Sequence, residues 1–359
     1  MTEIAGKLEG TGRNKYLVSG DLRVIVGRWL GSKGPFFLPD KKLFESLQSA
    51  VVEKLEEIFQ PRGVDVVYLP WDHLKTGILL HIANHAGDVP VVSLDQVYVE
   101  EGTADIYLDA NRIVKWSKHT EGVDWRQGWS EIGHGPRRSD YGIASQLERI
   151  VNQGRIKRMQ DKRVVVVDDG TWTRGSLIAA KNLLASVGIR VDKFIVGIEI
   201  RSGTEKDETF EIPFLWVEKF CKEAVVDWVG ERDFFPGVGF SGRTVGELIE
   251  NNTEPATFRQ FYISMPMEGN YGAPYVMPLG DPVTWANVPE KKAIEFSMFC
   301  LDCAIQLYTA IEAETRRITG QSIKIKVSHL ERPPYFYRKI KDMPVTEALA
   351  SSRKILENI

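Results

Sequence analysis

Residues 163–188 read RVVVVDDGTWTRGSLIAAKNLLASVG, and the fold can be worked out from them. Val164 to Val167 form an unbroken β-branched run, the pattern of a strand buried on both faces. Two acids, Asp168 and Asp169, stand at its carboxyl end. A loop containing Gly170, Thr171, Thr173, Gly175 and Ser176 then enters a helix that closes at Gly188, a glycine in the C-terminal capping position. A helix start with small residues offers unpaired backbone N–H groups to a phosphate, and hydroxyls add donors. The neighbouring carboxylates suit ribose hydroxyls. They would repel the phosphate itself, so a bridging sugar or Mg²⁺ is needed to reconcile the two.

Working outward, the spacing of Leu43, Leu47, Val51, Leu55 and Ile58 predicts a helix over 41–58. VDVVYLP (64–70) reads as a buried strand ended by Pro70, and WDHLKTG (71–77) as the loop after it. A helix follows over Thr76–Ala86, then a second strand, PVVSL (90–94). Residues 95–139 hold short strand-like pieces and a polar, Gly- and Trp-rich stretch long enough to be a functional loop or lid. A helix near 140–153 precedes the acid-tipped strand, and KFIVGIEI (193–200) and AVVDWV (224–229) follow as strands. Strands alternating with helices predict an α/β fold: a mostly parallel sheet with helices on both faces, binding its ligand at the carboxyl ends of the strands. The turn-rich last 130 residues, with one long helix near 290–318, read as a C-terminal α+β extension. The expected division is 1–60 as an N-terminal helix and strand extension, 61–230 as the core, and 231–359 as a hood or extension domain.

The strand–DD–x₃–T–x–G/S–helix register resembles the phosphoribosyl-diphosphate (PRPP) loop of the type I phosphoribosyltransferase family. Asp168 and Asp169 match its acids, Thr173 its threonine and Ser176 its final hydroxyl. Arg174 stands where the family usually has glycine, with Gly175 one place later. The resemblance implies that Asp168 and Asp169 bind the ribose hydroxyls and meet Mg²⁺ through them or through water. It also implies that residues 170–176 (Gly170, Thr171, Trp172, Thr173, Arg174, Gly175 and Ser176) cradle the 5′-phosphate. Lys75, Thr76 and Gly77 would then form the pyrophosphate turn. Basic residues of the 95–139 loop (Lys115, Lys118, Arg126, Arg137 and Arg138) are candidates for the leaving group, and Trp228, Phe234 or Phe235 for stacking on an acceptor base. The implied activity is Mg²⁺-dependent transfer of a ribose phosphate from PRPP to a nitrogenous acceptor with release of pyrophosphate. The alternatives are a non-catalytic PRPP or nucleotide sensor of the same fold, and a scaffold serving the C-terminal extension.

Composition narrows the partners. With 46 Lys+Arg against 49 Asp+Glu the net charge is −3, which gives no global case for nucleic acid. Three cysteines cannot make a disulfide framework, and the expected compartment is the reducing cytoplasm. No membrane span is expected. A small-molecule partner, PRPP or a nucleotide, is expected, with a homodimer left open. The Cys300–Cys303 spacing reads as core packing within a helix, and His81 and His85 read as structural or surface histidines.

Overall fold

The computed structural model describes residues 14–32, 34–99, 103–117, 128–137, 142–172, 174–202, 212–248, 264–266 and 270–359. In chain order, the first half runs β1 (Asn14–Gly20), α1 (Leu22–Ser32), α2 (Lys41–Phe59), β2 (Val64–Pro70), α3 (Trp71–His85), β3 (Val91–Ser93), β4 (Ile106–Tyr107), β5 (Asn111–Trp116) and β6 (Trp129–Gly135). Then come α4 (Ile143–Asn152), α5 (Gly154–Arg158), β7 (Arg163–Thr171), α6 (Gly175–Ser186), β8 (Arg190–Arg201), β9 (Phe214–Cys221) and β10 (Val225–Gly230). The chain ends with β11 (Arg243–Leu248), β12 (Ser264–Pro266), β13 (Gly272–Ala273), α7 (Pro282–Ala286), α8 (Glu290–Thr319) and α9 (Val345–Glu357).

The central sheet is parallel throughout, in the order β4-β3-β7-β8-β9. Alternation along β7 explains its covering on both sides. Val165 and Val167 join one apolar cluster with Leu74 and Ile78 of α3, while Val164 and Val166 join another with Leu177, Leu183 and Leu184 of α6. A run of four valines is therefore required: each face needs its own pair. The α/β architecture with helices on both faces is what the sequence predicts.

A second parallel sheet, β10-β1-β2, departs from the expected arrangement. The sequence predicts 1–60 as a separate extension and 64–70 as the first strand of the central sheet. In the structure β1 is the middle strand between β2 and β10, and β2 lies in this smaller sheet. The strand next to β7 is instead β3, and α3 bridges the two sheets by packing on β2, β8 and β9. Gly77 of α3 permits that approach, because a Cβ there would run into the side chain of Val217 on β9. The third sheet, β12-β11-β5-β6 with β13 on β11, is mixed and joins the antiparallel pair β5 and β6 to the C-terminal part of the chain.

Among the described residues, α8 is long and apolar enough to cross a membrane by length and composition. In the fold its Phe296, Leu301, Ala304 and Leu307 are buried in the main core, against α2 and α9. Cys300 and Cys303 lie buried on the same helix.

Candidate functional site

A cavity of about 420 Å³ opens at the carboxyl ends of β7 and β10, with the start of β5, Arg137, the start of β11 and α7 with Asn287 forming its other walls. Parallel strands make this placement natural, since their carboxyl ends gather on one side of a sheet. Here two parallel sheets direct strand ends at the same space.

Asp168 and Asp169 line the cavity at the tip of β7. The Asp168 carboxylate accepts the backbone N–H of Asp169 at 3.0 Å. Burial, and then the charges of Asp169 and Asp95, push the Asp168 carboxyl well above the ordinary carboxylate range. Asp95, in the turn after β3, is a third acid that sequence reasoning missed. Its oxygens accept the backbone N–H groups of Val97 at 2.9 Å and Tyr98 at 2.5 Å. Burial and then Asp169 push its pKa up to about 6. The available signal was an acid closing the apolar run PVVSL, the same arrangement that marks Asp168.

Beyond the acids the backbone turns sharply. Thr171 Oγ1 accepts the N–H of Arg174 at 3.0 Å, and Arg174 takes the left-handed conformation (φ 57°) before α6 begins. A non-glycine residue there is uncommon. This one is held by its side chain, which donates to buried Glu199 at 2.6 Å and lies over the Phe214 ring at 4.5 Å. Gly175 and Ser176 then line the cavity in the first turn of α6, where backbone N–H groups have no helical partner. Gly170, Thr171, Trp172 and Arg174 line it too, whereas Thr173 lies outside the described residues.

Trp228 reaches this loop from β10. Its Nε1 donates to Ser19 Oγ at 3.1 Å, and its ring packs on the Gly170 backbone so closely that a Cβ at 170 would sit 2.5 Å from an indole carbon. Arg232, in the turn after β10, pairs with fully buried Asp21 and reaches Asp169 at 3.4 Å. It is the cation set against the acid cluster, and nothing local in the chain marks it: Asp21 and Asp169 are 211 and 63 residues away.

Of the loop cations, Arg137 lines the cavity. It donates to Asn111 Oδ1 at 2.7 Å and stacks over Phe240 at 5.0 Å. Behind it, buried Arg332 donates to Thr244 at 2.6 Å, and burial and Arg137 lower its pKa to about 9. Lys115 lies on β5 without lining the cavity, and Lys118, Arg126 and Arg138 fall outside the described residues.

Two expectations need correction. Lys75, Thr76 and Gly77 are not a turn at the cavity but part of α3, which begins at Trp71 directly after Pro70; Lys75 stacks on the Trp71 ring at 4.4 Å. Phe234 and Phe235 are fully buried and unavailable for stacking, Phe234 packing edge-on against Phe296. Among the described residues no group of three or more His, Cys, Asp or Glu side chains could hold a metal ion directly. His81, on α3, meets the Trp216 carbonyl at 2.9 Å, with His85 beside it.

No family model matches the chain, and no characterised protein sequence does. Among solved structures, it is similar to a hypothetical protein from Neisseria gonorrhoeae with bound ppGpp, at 13% identity over 44% of this chain and 82% of that one, with a TM-score of 0.27. It is similar to adenine phosphoribosyltransferase from Thermoanaerobacter pseudethanolicus at 12% identity, over 41% and 80% of the two chains, with a TM-score of 0.23. For purine phosphoribosyltransferase from Pyrococcus horikoshii the values are 16% identity, 44% and 86%, with a TM-score of 0.22.

Proposed function

We propose that the cavity binds PRPP and that the protein transfers its ribose phosphate to a nitrogenous acceptor with release of pyrophosphate. One observation carries the reading: Asp168 and Asp169 line the same cavity as the first turn of α6, with Gly170 and Thr171 between them. A pentose 5-phosphate needs that pairing, with hydroxyl acceptors beside an anion-binding helix start. A cavity of about 420 Å³ also falls in the usual range for small-molecule sites.

In this reading the two carboxylates accept the ribose hydroxyl protons, and the backbone of Gly175 and Ser176 holds the phosphate. Arg137 supplies positive charge where the pyrophosphate departs. Mg²⁺, when bound, would offset charge on the leaving pyrophosphate. The donor set fits an ion held through ribose hydroxyls and water, since Mg²⁺ keeps several waters and needs no all-protein cage. Asp168 and Asp95, both raised by burial and by Asp169, are acids that a nearby cation would ionise.

A second reading is a PRPP or nucleotide sensor without transferase activity, and the turn after β3 favours it. There the chain presents Asp95 to the cavity and no cation, and Lys75 lies elsewhere.

Titration with PRPP and Mg²⁺, followed by a pyrophosphate-release assay across a panel of bases, separates the readings. Transfer requires release with at least one base; tight binding with none makes the protein a sensor. Asp169→Asn is expected to weaken PRPP binding by about tenfold or more, the loss of one charge-assisted contact, while the fold persists. Unchanged affinity would remove the pentose from this pocket.

A further inference from the structure

The transferase reading does not use every acid of the cavity. Asp227, on β10, lines the cavity beside Trp228, and its carboxylate is fixed by two donors. Oδ1 accepts the backbone N–H of Trp228 at 2.8 Å, and Oδ2 accepts Asn287 Nδ2 at 3.1 Å. The donors are themselves fixed. Asn287 ends α7 in the left-handed conformation, and its Nδ2 also donates to the Val226 carbonyl at 3.1 Å. The Trp228 indole is tied to Ser19.

A carboxylate has about four lone-pair sites, so these two bonds leave one on each oxygen. Among the described residues no ion pair engages Asp227. Arg243, which lines the same cavity, lies over the Tyr275 ring at 5.6 Å. Burial pushes the Asp227 pKa up to about 7, outweighing the bonds from Trp228 and Asn287 and the charge of Arg243, which lower it. A rigid, forked, half-buried acceptor of this kind matches two parallel N–H donors, the geometry of bidentate carboxylate recognition. Trp228 and Trp285, both lining the cavity, provide flat apolar surface beside it.

We propose that Asp227 selects the acceptor, a planar nitrogen heterocycle that offers two adjacent N–H donors to its free lone pairs. Asn287 is the positioning residue that fixes the carboxylate for this contact. The proposal deepens the transferase reading by naming the class of acceptor, and it rests on that reading for the acceptor's role.

Equilibrium dialysis of the full chain tests it, with guanine and isocytosine as probes carrying the two-donor edge and 1-methylguanine as a probe with that edge blocked. PRPP affinity is measured in parallel. The expected result is that guanine or isocytosine binds and 1-methylguanine does not. Asp227→Asn should then weaken the bound probe by about tenfold or more, in line with the cost of leaving a buried polar partner unmatched. PRPP affinity should stay within about twofold, because Asp227 touches the acceptor alone. Asn287→Gly, which suits the left-handed position, should weaken the probe by a smaller factor and keeps the test open if Asp227→Asn does not fold. Wild-type binding to neither two-donor probe, equal binding of 1-methylguanine, or unchanged probe affinity in both variants would each overturn the proposal. Probe binding that depends on Asp227 in a chain with no PRPP affinity would overturn the pentose reading and leave the Asp227 contact standing.

Discussion

Gly170→Ala tests whether the cavity is built as described, because this glycine is where the two parallel sheets touch. An alanine Cβ at 170 would lie 2.5 and 2.8 Å from two ring carbons of Trp228 and 3.0 Å from the Ile198 carbonyl oxygen. Carbon atoms in van der Waals contact sit at roughly 3.5–4.0 Å, so about 1 Å of relief is needed. The carbonyl belongs to β8, paired on both sides within the central sheet, so the ring must yield. The indole, however, is held by its bond to Ser19, whose hydroxyl in turn donates to the Val229 carbonyl at 3.2 Å. Overpacking costs about 1–3 kcal/mol, and losing the indole bond about 0.5–1.5 kcal/mol, for a total of about 2–4 kcal/mol. At an unfolding entropy near 2.1 cal/mol/K per residue, 359 residues lose roughly 1.3 °C per kcal/mol, so Tm should fall by about 3–5 °C. Calorimetry of Gly170→Ala, Trp228→Phe and the double variant measures the coupling. Phenylalanine removes the second ring, so the double variant should be more stable than the two single losses added together, by about 1 kcal/mol or more. Additive losses, or an unshifted Tm in Gly170→Ala, would refute the contact between Trp228 and the acid-bearing loop.

Other expectations follow from the buried charges and from α3. Arg232→Met should cost about 3–5 kcal/mol near neutral pH, since it strands Asp21 and strips Asp169 of its cation. Urea denaturation at pH 7 and pH 5 checks this, and the loss should shrink at the lower pH, because burial already raises the Asp21 pKa to about 6 despite Arg232. Glu231 is raised from 4.5 to about 8 by burial and then by Asp21, so the folded chain binds its proton more tightly than the unfolded one. That contribution is complete below about pH 4.5 and is lost as pH rises toward 8, by on the order of 3–5 kcal/mol at most. Tm profiles from pH 5 to 9 should therefore fall less steeply for Glu231→Gln than for the wild type, and parallel profiles would contradict the assignment. Lys75→Ala should leave PRPP affinity within about twofold, because Lys75 stacks on Trp71 away from the cavity; a tenfold loss would return it to the site.

The parts of the fold that local chemistry specifies were legible in the sequence. Four consecutive valines need two apolar faces, and both are present around β7. The period of α2 put Leu47, Val51, Leu55 and Ile58 on its buried face. What failed was strand partnership. VDVVYLP and PVVSL are both short apolar runs, and nothing in either fixes its neighbour. The longer one went to the smaller sheet and the shorter one beside β7. The loop after the wrong strand was then read as the pyrophosphate turn. Pro70 added to the error: it reads as a strand terminator, yet it also precedes the first residue of a helix in extended conformation, as it does here.

The site divides along the same line. Asp168, Asp169 and the loop up to Ser176 are contiguous, and a contiguous strand–loop–helix has few ways to arrange itself, so the sequence located them. Asp95, Arg137 and the pair Asp227 and Arg232 come from three separate segments and reach the cavity through sheet pairing. Each carried a weak local sign at most, such as an acid closing an apolar run for Asp95. That sign has the same cause as the motif at Asp168. An acid at the carboxyl end of a parallel strand cannot be covered by the sheet, and it faces the space where the strand ends gather. Applied to every buried run instead of the strongest one, that rule names Asp95 from PVVSLD but not Asp227, which lies inside β10 with Trp228 and Val229 after it. Arg232 lies beyond its reach, because it is needed only once Asp21 and Asp169 have been brought together by the fold.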